Sequence, residues 1–162
     1  MPGSGSYTEF FGAALKENLA EMAGLDCIVG ETRPQQETFS SKGLAVIVGI
    51  TGKRQGLVVL DIGKESARRL CELIDGESYS LEDEFVLHTL AEFVNIVTGH
   101  AVTLINDAHK GLHLEMTPPS LFLGSELKIT GYKIKTEVFE ADTPVGKMTV
   151  TIGFKGGRSG GR

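Results

Sequence analysis

SLEDEFVLHTLAEFVNIVTG, residues Ser80–Gly99, decides how the rest of the chain is read. Val86, Leu90, Val94 and Val97 recur at the spacing of a helix, not a strand. Ser80 with Asp83 three residues later offers a capping-box-like start, and Gly99 offers an end or a bend. At about 100° per residue, Glu84, His88, Glu92, Asn95 and Gly99 fall in one narrow arc. The four Val and Leu residues cover one flank of that arc, and Phe85, Thr89, Phe93 and Ile96 cover the other. The pattern therefore predicts a helix buried around most of its circumference, with only the polar line reaching water. Every amphipathic helix has a wet side, and such a line needs no function to explain it. Its composition argues for more. Solvent faces usually carry Lys, Arg and long i,i+4 pairs, whereas here a carboxylate at 92 and an amide at 95 stand side by side ahead of a glycine. A small, rigid pair of this kind is suited to presentation to a docking partner.

The whole chain has 162 residues, is 41% hydrophobic and carries a formal net charge of −5. That length and composition predict one domain spanning 1–162, with an ordered core over about 7–154 and flexible tails at 1–6 and 156–162. The acidic balance gives no global attraction to nucleic acid or to anionic membranes. No unbroken apolar run reaches the length of a membrane span, and MPGSGSYTEF lacks the basic start of a leader, so a cytoplasmic protein is expected. Cys27 and Cys71 have no CxxC spacing and read as small buried hydrophobes rather than a disulfide.

Around the central helix the coarse pattern is α+β. Tyr7–Ala23 reads as a helix closed by Gly24. Thr32–Ser41 reads as an extended connection containing an edge strand. Leu44–Thr51 and Leu57–Ile62 flank GKRQG and form a predicted hairpin of buried strands. Gly52-Lys53 invites a phosphate-loop reading, but Ile47 stands where the first glycine is needed and Arg54 where Ser or Thr is needed. Lys64–Asp75 is a packing helix closed by Gly76, and Ala101–Ala108 continues the central helix past a bend at Gly99. Leu112, Leu114 and Met116 alternate with polar neighbours as a strand that Pro118 and Pro119 are expected to stop. Leu127–Glu140 reads as a long strand with a phase break at Gly131, and Met148, Val150, Ile152 and Phe154 mark the last strand. Two halves emerge as a weak repeat of a helix, a connection and antiparallel strands, giving a sheet packed by helices. Aligning Gly24 with Gly99 sets Glu17 opposite Glu92 and Ala20 opposite Asn95.

Glu92, two residues, Asn95, twenty-two residues and Pro118 reproduce the signature spacing of the CheC/CheX/FliY family of response-regulator phosphatases. The chain resembles that family elsewhere too, in Glu21-Met22-Ala23-Gly24, in the hairpin around Gly49-Ile50-Thr51-Gly52 and Gly56-Leu57-Val58-Val59-Leu60, and in Thr117-Pro118-Pro119-Ser120. The Glu/Asn pair occurs once rather than in both halves, which places the resemblance with the CheX branch. His88 departs from the signature, which has Asp or Ser four residues before the Glu.

The resemblance implies a CheC-like fold and hydrolysis of the aspartyl phosphate of a phosphorylated CheY-like response regulator. It assigns Asn95 to orientation of the attacking water and Glu92 to docking on a cation of the regulator, with His88, Gly99 and Pro118 as supporting positions. No cofactor is expected on this chain, since Mg²⁺ belongs to the regulator. A homodimer joined through strands is expected, with Leu127–Glu140 as the pairing segment. His88 reads either as a pH-dependent docking contact or as a tolerated replacement. His100, His109 and His113 with Asp107 do not have the spacing of a metal site. Two other functions stay open: a module that binds phosphorylated receiver domains without hydrolysis, and an assembly role at the flagellar switch.

Overall fold

A computed structural model describes residues 4–34, 40–124 and 134–155. Its helices are α1 (Ser4–Asn18), which ends in a π-turn over Leu19–Ala23, α2 (Lys64–Asp75) and α3 (Glu84–Ala108). The strands are β1 (Ile28–Val29), β2 (Arg33–Pro34), β3 (Gly43–Thr51), β4 (Gly56–Gly63), β5 (Glu115–Met116), β6 (Ser120–Leu123), β7 (Ile134–Thr143) and β8 (Gly146–Lys155). All pair antiparallel in one sheet of order β1-β7-β8-β4-β3-β5, with β2 also on β7 and β6 also on β3. The architecture is α+β. Residues 1–3, 35–39 of the linker between β2 and β3, 125–133 with the Leu127–Lys133 portion of the expected long strand, and the tail from 156 lie outside the described residues.

The expected repeat is present as an exchange of strands. The hairpins β3–β4 and β7–β8 meet at β4 and β8 in the middle of the sheet. Each half then lends its short strands to the other: β1 and β2 pair with β7, and β5 and β6 pair with β3. Both short-strand pairs slip register alike. Val29 faces Ala141 and Arg33 faces Val138, just as Met116 faces Ile50 and Ser120 faces Ile47. Each short-strand side therefore holds one residue more than its partner, which is a bulge. Pro118 and Pro119 occupy the bulge of the second half, where a missing N–H breaks no ladder bond. The prolines thus interrupt pairing without stopping it, and β6, which the alternation pattern did not reveal, resumes on the same neighbour.

This symmetry corrects the alignment of the halves. Gly12, not Gly24, is the counterpart of Gly99. A Cβ on Gly12 would meet Val29 Cγ1 at 3.2 Å, and one on Gly99 would meet Met116 Sδ at 3.5 Å, with Val29 and Met116 at equivalent strand positions. Thr8 then stands opposite Asn95. Gly24 (φ 67°) matches Gly111 (φ 99°), both left-handed positions beyond a helix end.

Helix α3 runs unbroken through Gly99, whose backbone stays outside the left-handed region and whose carbonyl accepts a hydrogen bond from Thr103 Oγ1 at 2.9 Å. The cap is Asp83, whose Oδ1 accepts from the Phe85 N–H at 2.9 Å, while Ser80 contributes only a backbone turn to Asp83. By length and composition alone α3 qualifies to cross a membrane, but 50% of the relevant window is buried inside the protein, as in a core helix. The predicted strand at 112–116 shortens to β5. His113 takes a φ of 49°, and Asn106 binds both the N–H and the carbonyl of Leu114 at 2.8 and 3.0 Å in place of a neighbouring strand. Leu112 and Leu114 are nevertheless buried.

The core lies between the helices and one face of the sheet. Phe11, Leu15, Leu70, Leu90, Phe93 and Val94 meet Val46, Val48, Leu60, Val150 and Ile152 there. Cys27 and Cys71 are both buried and unpaired, and burial pushes the Cys71 thiol up to about 12. Asp61 of β4 is 2% exposed and accepts from Ser41 Oγ and from the Lys42 N–H, which anchors the entry to β3. Asp61→Ala would strand both donors in a dry site. The expected loss is about 2–3 kcal/mol, read as a lower urea midpoint at unchanged slope.

Candidate functional site

The polar line of α3 is held in place from behind. Asn18, at the end of α1, donates through Nδ2 to the Ala14 carbonyl at 2.8 Å and lies 3.0 Å from His100 Nδ1. An amide nitrogen only donates, so His100 Nδ1 must accept. The ring proton on Nε2 then faces Glu17 Oε2 at 3.2 Å. His100 and Glu17 are therefore committed to joining α1 and α3. Among the described residues no three His, Cys, Asp or Glu side chains stand close enough to hold a metal ion.

On the outward face, His88 and Glu92 are exposed and Asn95 is half-buried. Among the described residues, none of the three makes a side-chain hydrogen bond or ion pair. Residues three apart on a helix hold their Cβ atoms about 5–6 Å from one another. Glu92 and Asn95 thus present one carboxylate and one amide at a spacing fixed by backbone. The other expected flank of α3 is not uniformly buried. Phe93 is buried, but Phe85 is 64% and Ile96 38% exposed. Their helical angles put them beside Glu92, so the outward face is a carboxylate and amide set among apolar side chains rather than a thin polar line.

Gly99 lies further along the same face, half-buried where Met116 closes on it. That contact brings the β5–β6 link, and with it exposed Pro118, alongside the helix. The link is clamped to β3: Thr117 N–H donates to the Gly49 carbonyl, and Gly49 N–H to Thr117 Oγ1, both at 2.9 Å. A Cβ on Gly49 would itself lie 2.9 Å from that oxygen, so only glycine fits. Four of the five expected site residues therefore share one helix face, and Pro118 lies off it, in the link between β5 and β6 two residues beyond the Met116 that meets Gly99. The grooves beside α2 (about 380 Å³) and α1 (about 280 Å³) include none of them. The candidate site is a face of α3 with exposed His88 and Glu92 and half-buried Asn95 and Gly99, outside both of these grooves.

The sequence model of the chemotaxis phosphatase CheX matches residues 44–139, more than half of the chain and a span within which these five positions fall. The chain belongs to the CheX family. Among CheX relatives, the CheY-P phosphatase CheX of Thermotoga maritima is 24% identical over 119 residues, 73% of this chain and 76% of that one. The crystal structure of CheX from Desulfovibrio desulfuricans superposes with a TM-score of 0.82 at 21% identity, covering 93% of this chain and 99% of that one. CheX of Borrelia burgdorferi, solved in a CheX–CheY–BeF3–Mg²⁺ complex, superposes at 0.76 with 28% identity over 92% and 97%. The CheC-like superfamily structure from a Shewanella species superposes at 0.81 with 21% identity over 93% and 97%, in keeping with the CheC-like fold expected of CheX.

Proposed function

We infer that this chain hydrolyses the aspartyl phosphate of a phosphorylated CheY-type receiver by inserting the Glu92–Asn95 face of α3 into the receiver's site. The observation that carries this reading is the Glu92 carboxylate and the Asn95 amide side by side on the long helix α3, with no side-chain partner among the described residues. The relative solved with CheY supports the choice of partner. An acyl phosphate is already activated, and what it lacks is a water in line with phosphorus. The Asn95 amide oxygen accepts a hydrogen bond from that water and turns its lone pair toward phosphorus. The water oxygen bonds to phosphorus as the bond to the aspartyl oxygen breaks, releasing inorganic phosphate and restoring the carboxylate. Glu92 meets a lysine of the receiver and sets register; it moves no proton. His88, Gly99 and Pro118 border the face, with Gly99 letting β5 approach and Pro118 shaping the rim.

Mg²⁺ belongs to the receiver in this scheme, where it neutralises phosphoryl charge, and the chain works in the cytoplasm where receivers are phosphorylated. The test is release of phosphate from a receiver carrying the acyl phosphate, with and without this protein. Equal decay in both overturns the reading.

Homodimerisation through strands is also proposed, with a changed location. Glu137 and Val138 of β7 are paired on both sides, with β2 and with β8, so that part of the expected segment is interior. Among the described residues β6 is an edge strand on β3, and its Phe122 and Leu123 are 44% and 62% exposed. Sedimentation across a concentration series is expected to give the dimer mass; a strict monomer removes this proposal.

A further inference from the structure

Phe85 is a large ring left 64% exposed at the start of α3, and it is held there. Tyr79 stacks on it with ring centroids 6.4 Å apart and planes at 21°. Tyr79 is fixed in turn by α2: its hydroxyl donates to Asp75 Oδ2 at 2.7 Å and its N–H to Glu72 Oε2 at 2.7 Å. Thr89, one turn after Phe85 on α3, donates to the same Asp75 oxygen at 2.6 Å. The hydrogen bond to Asp75 pushes the Tyr79 phenol up to about 12, so it remains a donor at neutral pH. Leu81, 51% exposed, lies in the loop between the two aromatic residues. The end of α2, the loop and α3 thus lock an aromatic pair in which Tyr79 packs on the core and Phe85 stays exposed.

Phe85 shares its helical arc with Glu92, two turns away, or roughly 10 Å along the axis at the usual rise per residue. Ile96, 38% exposed, continues the arc on the far side of Glu92. The two apolar groups therefore flank the Glu92 carboxylate along one line of the helix, with the Asn95 amide on its other side. A ring fixed before binding has little entropy left to lose, which is what makes aromatic anchors effective at interfaces.

We propose that Phe85, braced by Tyr79, is a specificity-determining anchor for the phosphorylated receiver, packing on an apolar shoulder beside the acyl phosphate while Glu92 and Asn95 enter the site. This rests on the receiver-phosphatase reading above. Phe85 touches no reacting atom, so its loss should weaken docking and leave the chemical step alone.

The test compares Phe85→Ala, Phe85→Tyr and Ile28→Ala in the full chain, the last removing a side chain 73% exposed on β1 at the far edge of the sheet. Steady-state hydrolysis of the acyl phosphate gives KM and kcat, and titration with a beryllofluoride-loaded receiver gives Kd. Phe85→Ala is expected to raise KM and Kd together about tenfold, with kcat within about twofold and an unchanged melting temperature. Phe85→Tyr, which keeps the ring, should restore both constants, and Ile28→Ala should change neither. If KM and Kd stay within about twofold in Phe85→Ala while Asn95→Ala still abolishes turnover, the anchor is wrong and the receiver reading stands. A fall in kcat at unchanged KM also overturns the anchor. Equal decay of the receiver's acyl phosphate with and without the wild-type protein removes the receiver reading, and the anchor with it.

Discussion

Replacing Asn95 by alanine is expected to lower phosphate release from the phosphorylated receiver by about a hundredfold or more, because displacing one reacting group by an ångström already costs on that order. Asn95 is half-buried and makes no side-chain hydrogen bond among the described residues, so nothing in the fold depends on its amide. Melting temperature and affinity for a beryllofluoride-loaded receiver should therefore change little. Alanine also has the higher helix propensity at a mid-helix position. Asn95→Asp separates geometry from charge: it preserves an accepting oxygen but brings a negative charge to an anionic phosphoryl group, and should recover little. Stopped-flow or phosphate-release kinetics check both variants, and wild-type turnover in Asn95→Ala would falsify the assignment of the water-orienting group.

Glu92→Lys is the second large effect. If Glu92 meets a receiver lysine, reversing its charge sets two ammonium groups face to face at a contact meant for attraction, and like-charge juxtaposition costs several kcal/mol. A drop in kcat/KM of roughly a hundredfold is expected, with the loss visible in Kd as well. Glu92→Ala removes the attraction without adding repulsion and should fall by about tenfold. The penalty in Glu92→Lys should shrink as salt rises, since the pair lies at an exposed rim before docking. A salt-independent defect, or one confined to kcat, would place Glu92 in the chemical step instead.

Much of this surface was legible in the sequence because helical periodicity and site spacing are local. The i,i+3 relation of Glu92 and Asn95 needs only a helix to become a geometry, and α2 with its Gly76 cap runs over the predicted Lys64–Asp75. What escaped the sequence depends on partners distant in the chain. Gly99 has the composition of a helix stop, yet its smallness serves the approach of Met116 from β5, and the helix passes through it. The repeat was misaligned for the same reason, since a helix-ending glycine was matched to one that lies inside a helix. Phe85 and Ile96 have the apolarity of core residues; their exposure follows from which side of α3 faces α1 and the sheet. Leu112 to Met116 alternates as a strand should, but Asn106 takes up the backbone groups of Leu114 first. Pro118 was placed by motif spacing, while the bulge that tolerates it appears only when β5 and β6 are laid on β3.

The clamp between α1 and α3 has a mechanical consequence. A partner pressing on the outward face of α3 loads a helix that is supported from behind by Phe11, Leu15 and the sheet, and tied laterally through Asn18, His100 and Glu17. The half of the repeat with Thr8 in place of the amide thus works as the backstop for the half that has it. A load on that face is expected to pass into the core rather than bend α3, which would hold the spacing of Glu92 and Asn95 as a partner docks.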